Sequence, residues 1–334
     1  MKKRLLPYLA CPHCRGDLLC QSIEEVGGEI KEGVLRCVQC SREFPIINFI
    51  PRFVKRELLA LVQQTQKAWG YQWHIFNELH SSYRNQFLDW IDPIKPDFFR
   101  GKVIADAGCG MGRFTRLAAK FGAKEIIGFD LSTSVEAAWE LSSDLPNLHY
   151  IQADIYLPPL KKKFDYIYSI GVLHHLPDPY RGFHSLCKLL NKGGAISVWV
   201  YGEENNGVII KYLNPIRENI TSRLPYPLLY YLTFLLNIPI HIILKIFYRP
   251  VETHAGLKFV QPLLPYRDYL FWLAKYSFRH NHHVIFDHLV APIAYYIPRS
   301  KFKAWFAIEQ LEEVSITPRN NNSWRGFGIR NRTK

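Results

Sequence analysis

Acidic side chains are in short supply in this chain of 334 residues. It has 29 aspartates and glutamates against 42 lysines and arginines, which gives a formal net charge of +13. Residues 57–202 are almost neutral, so the basic excess lies in residues 1–56, 203–300 and 301–334. A polyanionic partner, either an RNA or an anionic membrane face, would meet these outer segments first, although dispersed charge also serves solubility.

Cysteine is also scarce, and its odd count of seven does not suggest a framework of disulfides. Four of the seven form a metal-like pattern, which favours a reducing cytosol. The first residues read MKKRLLPYLAC, in which the apolar run is too short for the core of a signal peptide. We therefore expect no export and a cytoplasmic location.

Two CxxC knuckles stand near the start of the chain, CPHC at 11–14 and CVQC at 37–40. Each knuckle can present two thiolates on one tight turn, and two knuckles complete a tetrahedral zinc site. With four sulfur ligands the site has no open position, so we expect structural zinc rather than catalytic zinc. The predicted ligands are Cys11, Cys14, Cys37 and Cys40.

The second knuckle continues into the sequence REFPIINFIPRF. With this strand, residues 8–54 resemble the small zinc-ribbon protein that activates methyltransferases of tRNA and protein. The resemblance implies that the ribbon binds a protein partner and that methyl transfer takes place nearby.

A glycine-rich turn follows a short apolar strand in VIADAGCGMGRFTRLAAKFG, residues 103–122. Its glycines are Gly108, Gly110 and Gly112, and Arg113 stands where a dinucleotide-binding GxGxxG motif has its last glycine. Asp106 would repel a pyrophosphate but would attract a cationic ligand. S-adenosylmethionine carries both an ammonium and a sulfonium, so the turn favours this methyl donor.

Carboxylates end the next two predicted strands as well. Asp130, followed by Leu131, is placed to accept hydrogen bonds from ribose hydroxyls. Asp154 could accept from the adenine amino group while Ile155 covers the ring. A fourth strand begins at Phe164 and opens towards the donor at Ser169.

At this point the sequence resembles a class I S-adenosylmethionine-dependent methyltransferase, over residues 60–202 and 310–331. The matching motifs are DAGCGMG, GFDLS, QADI, FDYIYSIGVLHHLPDP and LNKGGAISVWVY. The resemblance implies an α/β fold, a Rossmann-like doubly wound sheet of seven strands whose last two strands form an antiparallel edge pair.

Four segments are expected. A zinc ribbon occupies residues 1–56, and residues 57–202 form the methyltransferase core with strands one to five. Residues 203–300 form a mainly helical lid insertion that could face a membrane. Residues 301–334 supply the last helix and the strand pair that completes the core.

The insertion contains the most apolar stretch of the chain, residues 226–247. Pro239 predicts a break into two short helices. Polar residues recur at every fourth position from Thr233 to Lys245 and predict one polar, solvent-facing side of the helix, which a membrane-spanning helix does not need. Either a buried lid or an interfacial element flanked by basic residues satisfies this pattern. Both alternatives favour an apolar, aromatic pocket for the methyl acceptor.

His174 and His175, at the end of the fourth strand, are the candidate general bases, because neutral imidazole accepts protons near neutral pH. Only one of them is expected to face the pocket. The sequence RHNHHVIFDHL lacks a regular ligand pattern, so its histidines are expected on the surface or in the lid. Asp287, Tyr295 and Tyr296 are further candidates for the pocket lining.

These observations predict an S-adenosylmethionine-dependent methyltransferase that acts on a lipophilic or small-molecule acceptor, with peripheral contact to the inner membrane face as an option. An RNA methyltransferase, for rRNA or tRNA, is the main alternative, although the fourth strand lacks the Asn/Asp-Pro-Pro-aromatic motif that grips a flipped base. A non-catalytic adaptor is the third hypothesis.

Overall fold

The computed structural model describes residues 1–54 and 60–332. The predicted boundary between residues 56 and 57 lies outside the described residues, as do the last two residues of the chain. The division into four segments therefore stays a prediction.

The N-terminal segment is a small antiparallel sheet, as predicted. Its strands lie in the order β1-β2-β3-β4. They span β1 Leu18–Val26, β2 Glu29–Cys37, β3 Glu43–Ile47 and β4 Ile50–Pro51.

The second sheet has seven strands in the order β10-β11-β9-β8-β5-β6-β7, which confirms the predicted methyltransferase sheet. Strands β5 to β9 pair in parallel, whereas β11 runs antiparallel to both β9 and β10. The strands are β5 Val103–Ala107, β6 Glu125–Asp130, β7 Leu148–Gln152, β8 Phe164–Ile170, β9 Leu190–Tyr201, β10 Leu311–Arg319 and β11 Ser323–Arg330.

Helices cover both faces of this sheet, because its central strands are apolar on both sides. Short 3-10 and π-helical turns join several of them. The α-helices are α1 Ala60–Ile75, α2 Tyr83–Trp90, α3 Arg113–Lys120, α4 Ser134–Glu140, α5 Pro179–Cys187, α6 Asn214–Asn219, α7 Tyr226–Ile243, α8 Arg249–Thr253, α9 Arg267–Ala274, α10 Phe278–Val290 and α11 Arg299–Ile308.

The ribbon packs on the edge of the large sheet. Arg52 forms a parallel bridge with Gln152 of β7, and the amide of Phe53 donates to the Gln152 carbonyl at 2.8 Å. Arg52 also pairs with Glu136 of α4 at 2.8 Å. An open strand edge invites pairing with other chains, so the ribbon covers the end of the sheet that would otherwise be exposed.

The four predicted zinc ligands come together in the ribbon. Their sulfurs all lie within 4.8 Å of one another, with Cys14 and Cys37 at 3.4 Å and Cys11 and Cys40 at 3.6 Å. A tetrahedral zinc site with bonds of about 2.3 Å places its sulfurs roughly 3.8 Å apart. The donor set therefore fits structural zinc.

The apolar stretch of the insertion differs from the prediction in two respects. Helix α7 runs through Pro239 without a break. The polar stripe also faces the protein and not water, since Thr233 and Asn237 are fully buried and contact α10. These contacts hold the helix before Pro239, and the Asn281 amide contacts His241 after it at 3.1 Å, so tertiary packing outweighs the loss of one backbone hydrogen bond.

Most of this helical stretch is exposed. Residues 226–253 form the single segment within the described residues that is long and apolar enough to cross a membrane, and 22% of its most apolar window is buried. Of the two alternatives left open for this segment, a buried lid and an interfacial element, this exposure agrees better with the second.

We expect Cys14→Ser to release zinc and to lower the thermal midpoint by several degrees, because metal binding contributes directly to the folding of so small a sheet. Metal analysis and thermal melting check this. Cys20→Ser is the matched control, since Cys20 is a half-buried thiol outside the cluster. Equal zinc content in the two variants would contradict the assignment.

Candidate active site

A large chamber opens at the carboxyl ends of the parallel strands, with about 1530 Å³ of empty space inside it and at its mouth. The carboxyl ends of parallel strands are where ligands bind in open α/β sheets.

The first turn contributes Gly108 to the chamber lining, whereas Gly110 and Gly112 pack against protein side chains. All three have positive φ angles, between 53° and 80°. A Cβ atom would collide with Val172 at Gly108 and with the Trp73 indole at Gly110. The tight turn thus serves close packing of the loop as much as close approach of a ligand.

Asp130 lies at the end of β6 and lines the chamber, as does Leu131. Its carboxylate accepts hydrogen bonds from the amide of Gly110 at 3.0 Å and from the amide and hydroxyl of Ser132 at 2.8 and 2.7 Å. Burial raises the pKa of Asp130. The side chain therefore ties the glycine turn to β6 and still borders the open space.

Asp154 and Ile155 follow β7 and also line the chamber. The Asp154 carboxylate accepts a hydrogen bond from the amide of Tyr156 at 2.9 Å, and burial raises its pKa. The structure thus brings Gly108, Asp130 and Asp154 to one edge of the sheet.

Asp106 and Ser169 do not lie in the chamber lining. Asp106 is 3% exposed and accepts a hydrogen bond from the Thr115 hydroxyl of α3 at 2.6 Å. The Ser169 hydroxyl donates to the Ala107 carbonyl at 2.9 Å. Both side chains support the first turn from behind, which differs from the expectation that Asp106 faces a cationic ligand.

The two candidate bases occupy different environments. His175 lines the chamber, and its Nδ1 lies 2.6 Å from the Ile293 carbonyl oxygen. Because a carbonyl only accepts, Nδ1 carries the proton and Nε2 keeps its lone pair. Burial lowers the pKa of His175 to about 4, so the ring is neutral at pH 7.

His174 is fully buried and points away from the chamber. Its ring lies 4.0 Å from the Tyr201 ring between centroids, and neither ring nitrogen has a hydrogen-bond partner within the described residues. Burial lowers its pKa well below the usual value.

The far side of the chamber is aromatic. Sequence reasoning missed most of this wall, although Trp69 and Trp73 stand four positions apart and so share one face of α1. The aromatic lining consists of Trp69, Trp73, Trp90, Trp199, Tyr201, Tyr269, Trp272 and Tyr296. Tyr296 was predicted, whereas Tyr295 lies outside the lining and is 47% exposed.

Asp287 contributes a carboxylate to the chamber lining, on the same side as the aromatic residues. Its Oδ1 accepts a hydrogen bond from Gln72 at 2.8 Å, and its Oδ2 accepts one from the Tyr201 hydroxyl at 3.2 Å. Its negative charge raises the pKa of His175 against the larger effect of burial. The two side chains are therefore electrostatically linked.

Of the two expected positions for the α10 histidines, the surface or the lid insertion, the structure has them in the insertion, where His280, His282 and His283 are buried and His288 is half-buried. His283 lies 2.9 Å from the Gln72 amide nitrogen, and His282 contacts the Thr233 hydroxyl at 3.0 Å. His280 and His283 line the chamber. Within the described residues, the cysteine cluster is the single group suited to a metal ion, so these histidines serve packing and lining.

Comparisons with known proteins agree with this architecture. Residues 105–198 match the model of a methyltransferase domain, and residues 2–48 match that of Trm112p-like proteins. The chain therefore contains a methyltransferase domain and, at its N-terminus, a Trm112-like domain.

Several curated proteins are similar to about a third of this chain. An uncharacterised protein of Synechococcus is 37% identical over 114 residues, which cover 32% of this chain and 27% of that protein. The tRNA U34 carboxymethyltransferase of Aliarcobacter butzleri is 33% identical, covering 33% and 39% of the two chains. The trans-aconitate 2-methyltransferase of Escherichia coli is 37% identical, covering 29% and 38%. The chain thus covers less than two fifths of the length of each of these relatives.

Solved structures show partial similarity. An S-adenosylmethionine-dependent methyltransferase from Mesorhizobium loti is 32% identical with a TM-score of 0.29, covering 31% of this chain and 48% of that chain. A complex of the Haloferax volcanii Trm112 activator with a methyltransferase is 13% identical with a TM-score of 0.46, covering 81% and 97%.

We expect Asp130→Ala to weaken binding of the product S-adenosylhomocysteine by about tenfold or more, equivalent to about 1.4 kcal/mol, because the turn loses the acceptor of Gly110 and Ser132. Calorimetric titration measures this. Asp144→Asn is the control, since Asp144 is an exposed partner of Arg116 outside the chamber. Unchanged affinity of Asp130→Ala for S-adenosylhomocysteine would contradict the role of Asp130 in holding the glycine turn for ligand binding.

A second prediction concerns the pH dependence of stability. Burial raises the pKa of Asp106 to about 7 from 3.8, so between these values the folded chain binds a proton that the unfolded chain releases. The free energy of unfolding contributed by this group therefore falls as pH rises from about 4 to about 7.

Asp106→Asn, which stays neutral, should lose this fall and should gain stability relative to the wild type at pH 8. Urea unfolding at pH 5 and pH 8 measures the difference, with Asp97→Asn as an exposed control. Parallel pH profiles of the wild type and Asp106→Asn would show the assignment to be wrong.

Proposed function

We propose that this protein transfers a methyl group from S-adenosylmethionine to a lipophilic or small-molecule acceptor that binds against the aromatic wall of the chamber. The observation that carries the proposal is the chemistry of that wall, to which α1, α2, α9 and β9 contribute tryptophans and tyrosines that line the chamber. Such a surface binds an apolar or ring-shaped acceptor.

The donor end of the chamber is proposed to be the strand-end side. Asp130 and Asp154 would accept hydrogen bonds from the ribose hydroxyls and the adenine amino group, and Leu131 and Ile155 would cover the adenine. Gly108 would border the amino-acid part of the donor. Asp106, Gly110, Gly112 and Ser169 would act indirectly, by holding the turn in shape.

Bound donor supplies a methyl carbon that is already activated by its positive sulfur, and the carbon–sulfur bond breaks with its electron pair staying on sulfur. The protein then has to align the acceptor in line with that bond and to remove a proton from an O–H or N–H acceptor. We assign the proton to Nε2 of His175, the nitrogen that keeps a lone pair, and the stabilisation of the resulting imidazolium to Asp287. His174 packs behind His175.

An RNA acceptor is the second candidate, and the relatives' names favour it over the first. Reported relatives include a tRNA U34 carboxymethyltransferase, and the basic excess of the chain suits a polyanion. A trans-aconitate methyltransferase is equally similar, and its name specifies a small acceptor. A cytoplasmic site of action fits both candidates.

Incubation with isotopically labelled donor, once with a bacterial lipid and metabolite extract and once with bulk tRNA, tests the proposal. We expect label in the extract. Label confined to tRNA would establish the second candidate, and no label with intact donor binding would leave a non-catalytic adaptor.

In the same assay Asp287→Asn should lower turnover, by no more than the factor of about 10²–10⁴ that a general base contributes, because His175 stays in place. Asparagine can still accept from Gln72 through its oxygen and can donate its amide to the Tyr201 oxygen, so the main loss is the charge. The remaining activity should also show its acidic limb at lower pH, because loss of that charge lowers the pKa of His175. Asp268→Asn is the control, as Asp268 lies outside the chamber lining. Unchanged turnover in Asp287→Asn would refute the assigned pair.

A further inference from the structure

Helix α7 and the turn after it present a continuous apolar surface to the outside of the molecule. Among its members, Tyr231 is 66% exposed and Phe247 is 60% exposed. We call this surface the apolar face, and it comprises Leu228, Tyr231, Leu232, Phe234, Leu235, Leu236, Ile238, Ile240, Ile242, Ile243, Ile246 and Phe247.

The polar side of the same helix faces the protein. The Thr233 hydroxyl contacts His282 at 3.0 Å, and the Asn237 amide donates to the Phe278 carbonyl at 2.9 Å. The Lys245 ammonium donates to the carbonyls of Ala274 and Tyr276 at 2.8 and 2.9 Å. A surface helix of a soluble protein buries its apolar side and exposes its polar side, so α7 has the reverse orientation.

The apolar face is not a cover of the active site, because no residue of 226–248 lines the chamber. Exposed apolar side chains also continue on both flanks of α7, including Val208 and Tyr212 before it and Phe259 and Leu263 after it. Single exposed apolar residues are ordinary, whereas a contiguous patch of this extent marks a contact surface.

Most charges beside the apolar face are basic, and the acidic Glu252 at its end pairs with Arg249 at 2.8 Å. The sequence contains no acidic residue from 219 to 251, whereas Arg223, Lys245 and Arg249 lie in this segment and Lys258 follows it. Arg223 and Lys258 are exposed. A basic rim around an apolar surface complements a bilayer with anionic headgroups. In a symmetric dimer through the same face, the rim would meet its own copy and like charges would repel.

We propose that the apolar face docks the protein on an anionic lipid bilayer, with α7 lying in the plane of the interface. A spanning orientation conflicts with the inward hydrogen bonds of α7, which hold it against α10 along its length. Ile209 lines the chamber directly beside the exposed Val208, so the docked face continues to the chamber wall. This inference goes beyond the proposed function, since docking requires no particular acceptor.

Flotation of the purified full chain with vesicles tests the proposal. We expect strong binding to vesicles of phosphatidylglycerol and phosphatidylethanolamine and weak binding to pure phosphatidylcholine. Leu235→Gln combined with Phe247→Gln should lower the bound fraction on anionic vesicles by about tenfold or more. Both side chains are exposed, so their replacement leaves no cavity, and thermal melting checks the fold.

Two further variants separate the contribution of the basic residues from that of the apolar face. Arg223→Glu combined with Lys258→Glu should weaken binding to anionic vesicles and leave binding to phosphatidylcholine unchanged. Leu157→Gln is the matched control, because Leu157 is an exposed leucine outside both the apolar face and the chamber lining, and it should float like the wild type.

Absence of flotation, or equal flotation of the Leu235/Phe247 pair and the control, overturns the proposal. Light scattering adds one decisive outcome: if the pair converts a dimer to a monomer and vesicles bind neither form, the face is an interface between copies. Donor binding and label transfer are measured without vesicles, so failure of docking leaves the proposed function standing.

Discussion

The parallel pairing of β5 between β6 and β8 is the constraint on which the rest of the structure depends. Its register sets Asp106 opposite Gly128 on one side and Tyr168 on the other. The carboxyl ends of the central parallel strands therefore lie at the same edge of the sheet, and the loops that follow these strands begin side by side in one row along it. The proposed donor end of the chamber is this row, to which Gly108, Asp130 and Asp154 belong.

The strand ends and the zinc knuckles could be predicted because their signals are local. Asp130 and Asp154 each follow a short apolar run, so their place at a sheet edge follows from strand length and direction. The four cysteines lie in two tight turns, where spacing alone sets the ligand geometry. The antiparallel strand pair at the end of the chain was expected because the resemblance to class I methyltransferases implies it.

What could not be predicted depends on which way a side chain turns and on distant neighbours. Alternation along β5 points Asp106 to the side of Ile104, towards α3, and away from the open edge. Periodicity in α7 revealed a polar stripe but not which side would be buried, because α10 supplies the partners of Thr233 and Asn237 from forty residues away. The aromatic wall comes from α1, α2, α9 and β9, with Tyr296 from the segment after α10, and the sequence places these elements far apart.

Fusion of the ribbon to the methyltransferase domain has a kinetic meaning of its own. Because Arg52 and Phe53 reach β7 along the same chain, their association is unimolecular and dilution does not dissociate it. Synthesis delivers the two modules in a fixed one-to-one ratio, whereas a separate activator would have to be produced in matching amounts. The fused ribbon is therefore available to this domain at a fixed effective concentration.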